Sequence, residues 1–371
     1  MRGKALACML LLGSACAPAS SAGPVPEAAP PRSAAQASVA SAQPSARSSA
    51  PGSAPVAPAE PTAVAKTLGP DVAEKLATIR FDPPPPATTR SRHYFTSNEH
   101  APELFQKSVN GLGGIVTGVG AEQMYLLAGW ARADVLVLTD FDDFIVDLHE
   151  VYGTLFLEHD NVDAFLNAWS YRAQKQVQAA LEKRFPTHES RWRKWRAFGQ
   201  GRAEVKKRLE ALRARFEKAN VASFLTDAEQ YRWLRTLWQE RRVRAVRGDL
   251  TQDRALRDLA TYAKQTGLVV RVLYLSNAED YFTFQTRHYR DNVLGLPFDE
   301  KSVVLRTRPY AGSEYEYVVQ PGLGFQAFLR ADAPSTMCEL VRHAVQTAQG
   351  ADLYRLDAAP GATPARNYRC E

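Results

Sequence analysis

The sequence predicts an α/β protein, with a mostly parallel sheet and helices on both of its faces. Three observations predict it. Apolar runs of strand length alternate with stretches of helical spacing along most of the chain. Several of those runs stop at polar residues, at Asp140, at Asp249 and at Ser276-Asn277. Residues 113–143, GGIVTGVGAEQMYLLAGWARADVLVLTDFDD, read as strand, glycine turn, helix, strand and acid. There Ile115-Val116 enters Gly118-Val119-Gly120, a helix follows over 122–131, and the apolar run 135–138 stops at Asp140. That is the order of a nucleotide-type Rossmann half-unit. Glycine lets the backbone approach a ligand, the helix N-terminus favours anions, and the acid can accept from a ribose hydroxyl.

The rest of the chain follows in order. Arg2 and Lys4 precede a short apolar core at 5–13, and Ser14-Ala15-Cys16 places small residues before a cysteine. This reads as a secretory leader over 1–16, too short to span a bilayer. The stretch resembles a bacterial lipoprotein signal, which implies lipid modification of Cys16; an ordinary secretory signal is the alternative, and Gly13 stands where that motif usually has leucine. Residues 17–66 are mostly Ala, Pro and Ser and read as a disordered tether, because they have too little apolar surface to offset ordering entropy. The folded domain is expected over 67–371, opening with a turn-rich lead-in and a helix near 100–110. After Asp140 a helix is expected over 144–156, and then a helical insertion over about 160–240. Within the insertion, helices over 161–185, 202–219 and 226–240 are punctuated by Pro186, Gly199 and Gly201, with Thr226 or Asp227 as the last cap.

Strands resume at 243–246 and 268–275, separated by a helix over 252–266 that stops at Gly267. A helix should begin over 278–284, strands follow at 302–307 and 316–319, and 335–349 reads as helical, for four to six strands in all. The whole chain has 371 residues, 45% hydrophobic and 23% charged, with a formal charge of +6 that the basic insertion accounts for. Cys338 and Cys370 are the cysteines outside the leader, and export would permit a disulfide between them.

In an open α/β sheet, ligands bind beyond the carboxyl ends of the strands. The candidates at those ends are Gly118, Gly120, Glu122 and Gln123, then Asp140, Asp249, Ser276, Asn277 and Glu279. Each has a structural alternative. The glycine pair departs from GxGxxG and can be a tight turn, Asp140 and Asp249 can cap the helices that follow, and Asn277 can serve loop backbone. The gathering of polar residues at one rim favours a ligand site. The mixture of Trp192, Trp195, Tyr231 and Trp233 with Arg and Lys suggests contact with anionic lipid, against the alternative of a solvated helical face with its own core. No GxSxG, HExxH, P-loop, CxxC or His/Cys cluster occurs.

Four segments together resemble a bacterial family of proteins without a settled activity that have a methyltransferase-like Rossmann core. They are Thr96-Ser97-Asn98-Glu99; Gly114 to Gln123 with Asp140; Phe224-Leu225 through Tyr231-Arg232 to Val246-Arg247-Gly248-Asp249; and Tyr274-Leu275-Ser276-Asn277-Ala278-Glu279-Asp280-Tyr281 with Asn292-Val293, Leu296-Pro297 and Arg306. The resemblance spans about 95–308. It implies the fold and the rim positions rather than a reaction. The family's pattern has Asn where this chain has Met124, and Asp-x-Arg where it has Asp140-Phe141-Asp142.

Three functions follow as expectations. The favoured one is an exported, lipid-anchored protein of the cell envelope that binds a small ligand or an envelope partner at the rim, and does not bind nucleic acid. The alternative is an S-adenosylmethionine-dependent methyltransferase, with Asp140 on the ribose; outside the cytoplasm it would lack its cofactor supply. The least supported is a hydrolase using Asp140, Asp249 or Glu279 as acid or base.

Overall fold

The computed structural model describes residues 68–87, 92–311 and 314–370. The leader, Cys16 and the tether over 17–66 lie outside the described residues. Five strands run parallel: β1 (Ile115–Gly118), β2 (Val135–Asp140), β3 (Val243–Arg247), β4 (Val270–Ser276) and β5 (Val303–Ala311). The next strand, β6 (Glu314–Pro321), lies antiparallel to β5, and the short β7 (Val345–Gln346) and β8 (Leu353–Arg355) complete the sheet. The strand order is β3-β2-β1-β4-β5-β6-β8-β7. This is a Rossmann-like α/β fold. The chain winds outward from β1 to β3, then crosses to β4 on the other side of β1, so the topological switch lies between β1 and β4. Eight strands exceed the four to six expected, because β7 and β8 have two and three residues and are too short to show a periodicity.

Helices cover both faces. The lead-in supplies α1 (Pro70–Ala77) and α2 (Gln106–Val109), the latter continuing a 3₁₀ turn at Pro102–Phe105. Between β1 and β2 lies α3 (Gln123–Ala131). Between β2 and β3 lie α4 (Asp143–Glu158), α5 (Val162–Ala168), α6 (Gln174–Arg184), α7 (His188–Ala219) and α8 (Ala228–Gln239). The remaining helices are α9 (Ala255–Thr266), α10 (Tyr289–Gly295), α11 (Gly322–Ala331) and α12 (Met337–Val341). Alternate strand residues point to opposite faces. Val116, Leu136, Leu138 and Val272 therefore join Leu126, Leu148, Phe165, Leu209 and Leu234 in one core layer. Ile115, Val135, Val137 and Val270 join Leu76, Leu256, Val293, Phe325 and Leu340 in the other.

Some boundaries differ from expectation. Gly199 and Gly201 do not break a helix but lie inside α7, which is 32 residues long. A glycine costs about 1 kcal/mol there, but a Cβ on Gly201 would come within 2.9 Å of the Phe95 ring, so the missing side chain makes room for a core contact. Of the two cap candidates it is Asp227 that caps α8, accepting from the amides of Glu229 and Gln230 at 2.8 Å each. Residues 278–281 form one 3₁₀ turn, the helix expected over 335–349 is only α12, and α11 was not anticipated. Gly322 and Gly324 dilute the apolar pattern at the start of α11, and Gly322 sits where a Cβ would press on Phe298 at 2.9 Å.

Candidate functional site

The neighbouring strands β2, β1 and β4 bring Asp140, the glycine turn and Ser276-Asn277 to consecutive positions on one rim. The turn is shaped by the protein itself. A Cβ on Gly118 would lie 2.2 Å from the Tyr274 carbonyl oxygen, so β1 and β4 can meet there only with glycine. Gly120 has φ +94°, and a Cβ on it would collide with the Gln123 amide. Gln123 Oε1 in turn accepts from the Ala121 amide at 3.1 Å.

Both backbone groups of Gly120 are held by titratable side chains. Its N–H donates to Asp140 Oδ2 at 3.2 Å, and its carbonyl lies 2.8 Å from His149 Nε2. A carbonyl can only accept, so His149 carries its proton on Nε2, leaving Nδ1 to accept from the Tyr125 hydroxyl at 3.1 Å. Burial lowers the His149 pKa to about 4, which keeps the ring neutral. Asp140 moves the other way. Loss of water contact raises its pKa to about 7, and the negative Asp142 nearby adds to the rise, against the Asp142 amide, which donates to Oδ1 at 2.9 Å. Asp142 also caps α4 through the Phe144 amide and lies 2.6 Å from His93 Nδ1. The His93 ring stacks on Phe144, with centroids 4.0 Å apart, and its side chain is 31% exposed.

Beneath this rim is a floor of buried charge. Glu122 is fully buried, accepts from the Ser97 amide at 2.9 Å and pairs with Arg208 Nε of α7 at 2.8 Å. Burial raises its carboxyl pKa above the ordinary range despite that arginine. Glu99 is also buried and accepts from four hydroxyls: Ser97, Ser276 and Thr307 at 2.7, 2.7 and 2.8 Å, and Tyr274. Arg208 Nη2 donates to the Glu99 backbone carbonyl at 2.6 Å, so one cation ties the Glu122 carboxylate to the main chain at Glu99.

The sequence-derived candidates therefore separate. Asp140, Gly120 and Asn277 are half-buried at the rim, and Asn277 makes no side-chain hydrogen bond among the described residues. Gly118, Glu122, Gln123 and Ser276 build the turn and its floor. Glu279 does not belong to the open rim: it is buried, paired with Arg306 and hydrogen-bonded by the Tyr289 hydroxyl. Asp249 is half-buried at the end of β3, and its Oδ1 accepts from the Thr251 amide and hydroxyl at 2.8 Å each. It does not cap α9; the amides of Arg254 and Ala255 there are taken by Asp82 Oδ1 at 3.0 and 3.4 Å. Sequence reasoning missed His93, His149, Arg208 and the role of Glu99. Only Glu99 had a signal, as part of the segment Thr96-Ser97-Asn98-Glu99. The others act across 24 to 109 residues of sequence, which no local pattern reports.

Elsewhere, much of the insertion's positive charge is already matched. Arg184 pairs with Glu150, Arg193 and Lys194 with Asp147, Arg213 with Asp163, and Arg215 with Glu103. Cys338 and Cys370 form a disulfide, with Cα atoms 5.7 Å apart. A cavity of about 540 Å³ lies beside that bridge, lined by Glu339, Arg342 and 367–370, and another of about 290 Å³ lies between α6 and α7. Among the described residues, no helix is long and apolar enough to cross a membrane, and no group of His, Cys, Asp and Glu is placed to hold a metal ion. A family model described as a domain of unknown function (DUF7790) matches residues 94–357. No curated protein matches the chain.

Proposed function

We propose, for a chain that belongs to the DUF7790 family of unknown function, an exported and lipid-anchored binding protein that takes a small polar ligand, or a polar group of an envelope partner, across the end of β1. The observation that carries this reading is the order of strand ends: Asp140, then Gly120, then Asn277. With a pKa near 7, Asp140 can donate or accept a proton near neutrality, and the Asn277 amide, without a partner among the described residues, offers both a donor and an acceptor. The floor beneath is occupied by Glu99, Glu122 and Arg208, which favours a small ligand over an extended cofactor. Methyl transfer draws less support, because an exported protein would lie away from the cytoplasmic supply of S-adenosylmethionine.

Export and anchoring rest on the leader, on Cys16 and on the tether. The Cys338–Cys370 disulfide supports an oxidising compartment. Contact of the insertion with anionic lipid is weakly supported, since Arg184, Arg193, Arg208, Arg213 and Arg215 are already ion-paired.

Thermal-shift titration of the full chain with amino acids, polyols, S-adenosylmethionine and S-adenosylhomocysteine tests the rim. A stabilising amino acid or polyol whose effect is lost in Asn277→Ala and reduced in Asp140→Asn is the expected result. Micromolar S-adenosylmethionine binding that disappears in Asp140→Ala would overturn the reading, as would no stabilisation by any of these compounds. Palmitate incorporation that depends on Cys16 is expected, and its absence from the unaltered chain removes the anchor.

A further inference from the structure

Helices α6 and α7 form a hairpin through the short turn at 185–187. Residues three or four apart on a helix share a face. Gln178, Leu181 and Glu182 therefore stand together on α6, as do His188, Arg191, Trp192 and Trp195 on α7, and these seven residues line the 290 Å³ cavity. We propose that this groove binds a neutral sugar ring, which stacks on Trp192, accepts hydrogen bonds from Gln178 and Arg191 and donates one to the Glu182 carboxylate. It is a site separate from the rim of the sheet.

Three observations carry the proposal. Trp192 is 51% exposed, whereas Trp130 and Trp169 are fully buried, and its indole lines a cavity rather than a flat surface. Trp195, half-buried, adds apolar surface beside Trp192, so one face of a bound ring would leave water while its edges meet polar groups. Those groups are available: Arg191, His188 and the Trp192 indole N–H make no side-chain hydrogen bond among the described residues, and Gln178 and Glu182 bond only each other, at 3.2 Å. Donors and acceptors side by side match the hydroxyls of a sugar, each of which both donates and accepts.

Charge argues for a neutral ligand over a phosphate. The groove contains one arginine, Arg191, and one carboxylate, Glu182. The neighbouring cations Arg193 and Lys194 are held by Asp147 at 2.9 Å each. The basic-aromatic run at 191–196 thus leaves the groove electrically balanced. The volume lies at the small end of ligand pockets, which run from about 300 Å³ upward, so it suits a single ring or the end of a chain rather than a protein surface.

The test follows tryptophan emission of the full chain during titration with glucose, galactose and N-acetylglucosamine, alongside inorganic phosphate, adenosine and phosphatidylglycerol vesicles. The expected result is a saturable emission shift with at least one sugar, weakened at least about tenfold in Trp192→Ala and unchanged in Asn277→Ala. Far-UV circular dichroism of Trp192→Ala should match the unaltered chain, since the side chain is exposed; if that variant is misfolded, Glu182→Ala and Arg191→Ala serve in its place. A response to phosphate, adenosine or vesicles with none to the sugars overturns the proposal. So does a sugar response that survives these substitutions, or no response to any sugar.

Discussion

Gly120 shows how a single turn can be tuned by its neighbours. Asp140 accepts from its amide, and His149 donates to its carbonyl. Their linkage to stability has opposite signs. His149 is near 6.5 when unfolded and about 4 when folded, so its contribution is complete above pH 6.5 and is lost as pH falls through that range. The loss amounts to at most about 3 kcal/mol. Asp140 is near 3.8 when unfolded and about 7 when folded, so the fold holds its proton more tightly and stability declines as pH rises from 3.8 through 7. Between pH 4 and 6.5 the two slopes oppose each other. Relative to the unaltered protein, His149→Gln should lose stability progressively as pH rises through that window, and Asp140→Asn should gain it. Denaturant midpoints measured at half-unit steps check this, and parallel profiles for all three proteins would contradict it. The sequence exposed Asp140, because it ends an apolar run. It hid His149, whose partner is a backbone carbonyl 29 residues away.

Elements were legible where a period or a breaker was strong. The run at 135–138 and the stop at Gly267 both reappear, in β2 and at the end of α9, where Gly267 takes φ +65°. The pattern misled where tertiary packing overrode a local cost, as in α7, whose Gly201 seats the Phe95 ring. The 3₁₀ turn after β4 is another such case. Its Glu279 looked like a rim acid by position, but the turn directs it inward to Arg306, whose guanidinium lies 4.1 Å over the Phe325 ring centroid. Both members of the pair are fully buried, so removing one charge strands the other. Glu279→Gln should therefore destabilise the protein by about 3–5 kcal/mol, read as a lower urea midpoint. A loss under ~1 kcal/mol, the range of exposed pairs, would show that the pair is not sealed from water.

Across the molecule, one covalent link ties the end of the chain back to α12. Cys338 and Cys370 are 32 residues apart, so the bridge removes loop entropy from the unfolded chain. Reduction, or Cys338→Ser with Cys370→Ser, should cost roughly 2–4 kcal/mol, seen as a lower unfolding midpoint that reductant does not change further in the double variant. An unaltered midpoint would place the bridge outside the cooperative unit. The amino-acid sequence by itself determined the alternation of strands and helices, the Rossmann-like class and the ends of the central strands, because these follow from periodicity and glycine punctuation within a few residues. Tertiary structure alone decided which polar strand ends remain open. Glu279 found a partner inside the protein, Asp140, Asp249 and Asn277 stayed half-buried, and Glu99, Glu122 and Arg208 closed the floor. A buried charge must be matched by a partner, and that partner can stand anywhere in the chain that the fold brings near.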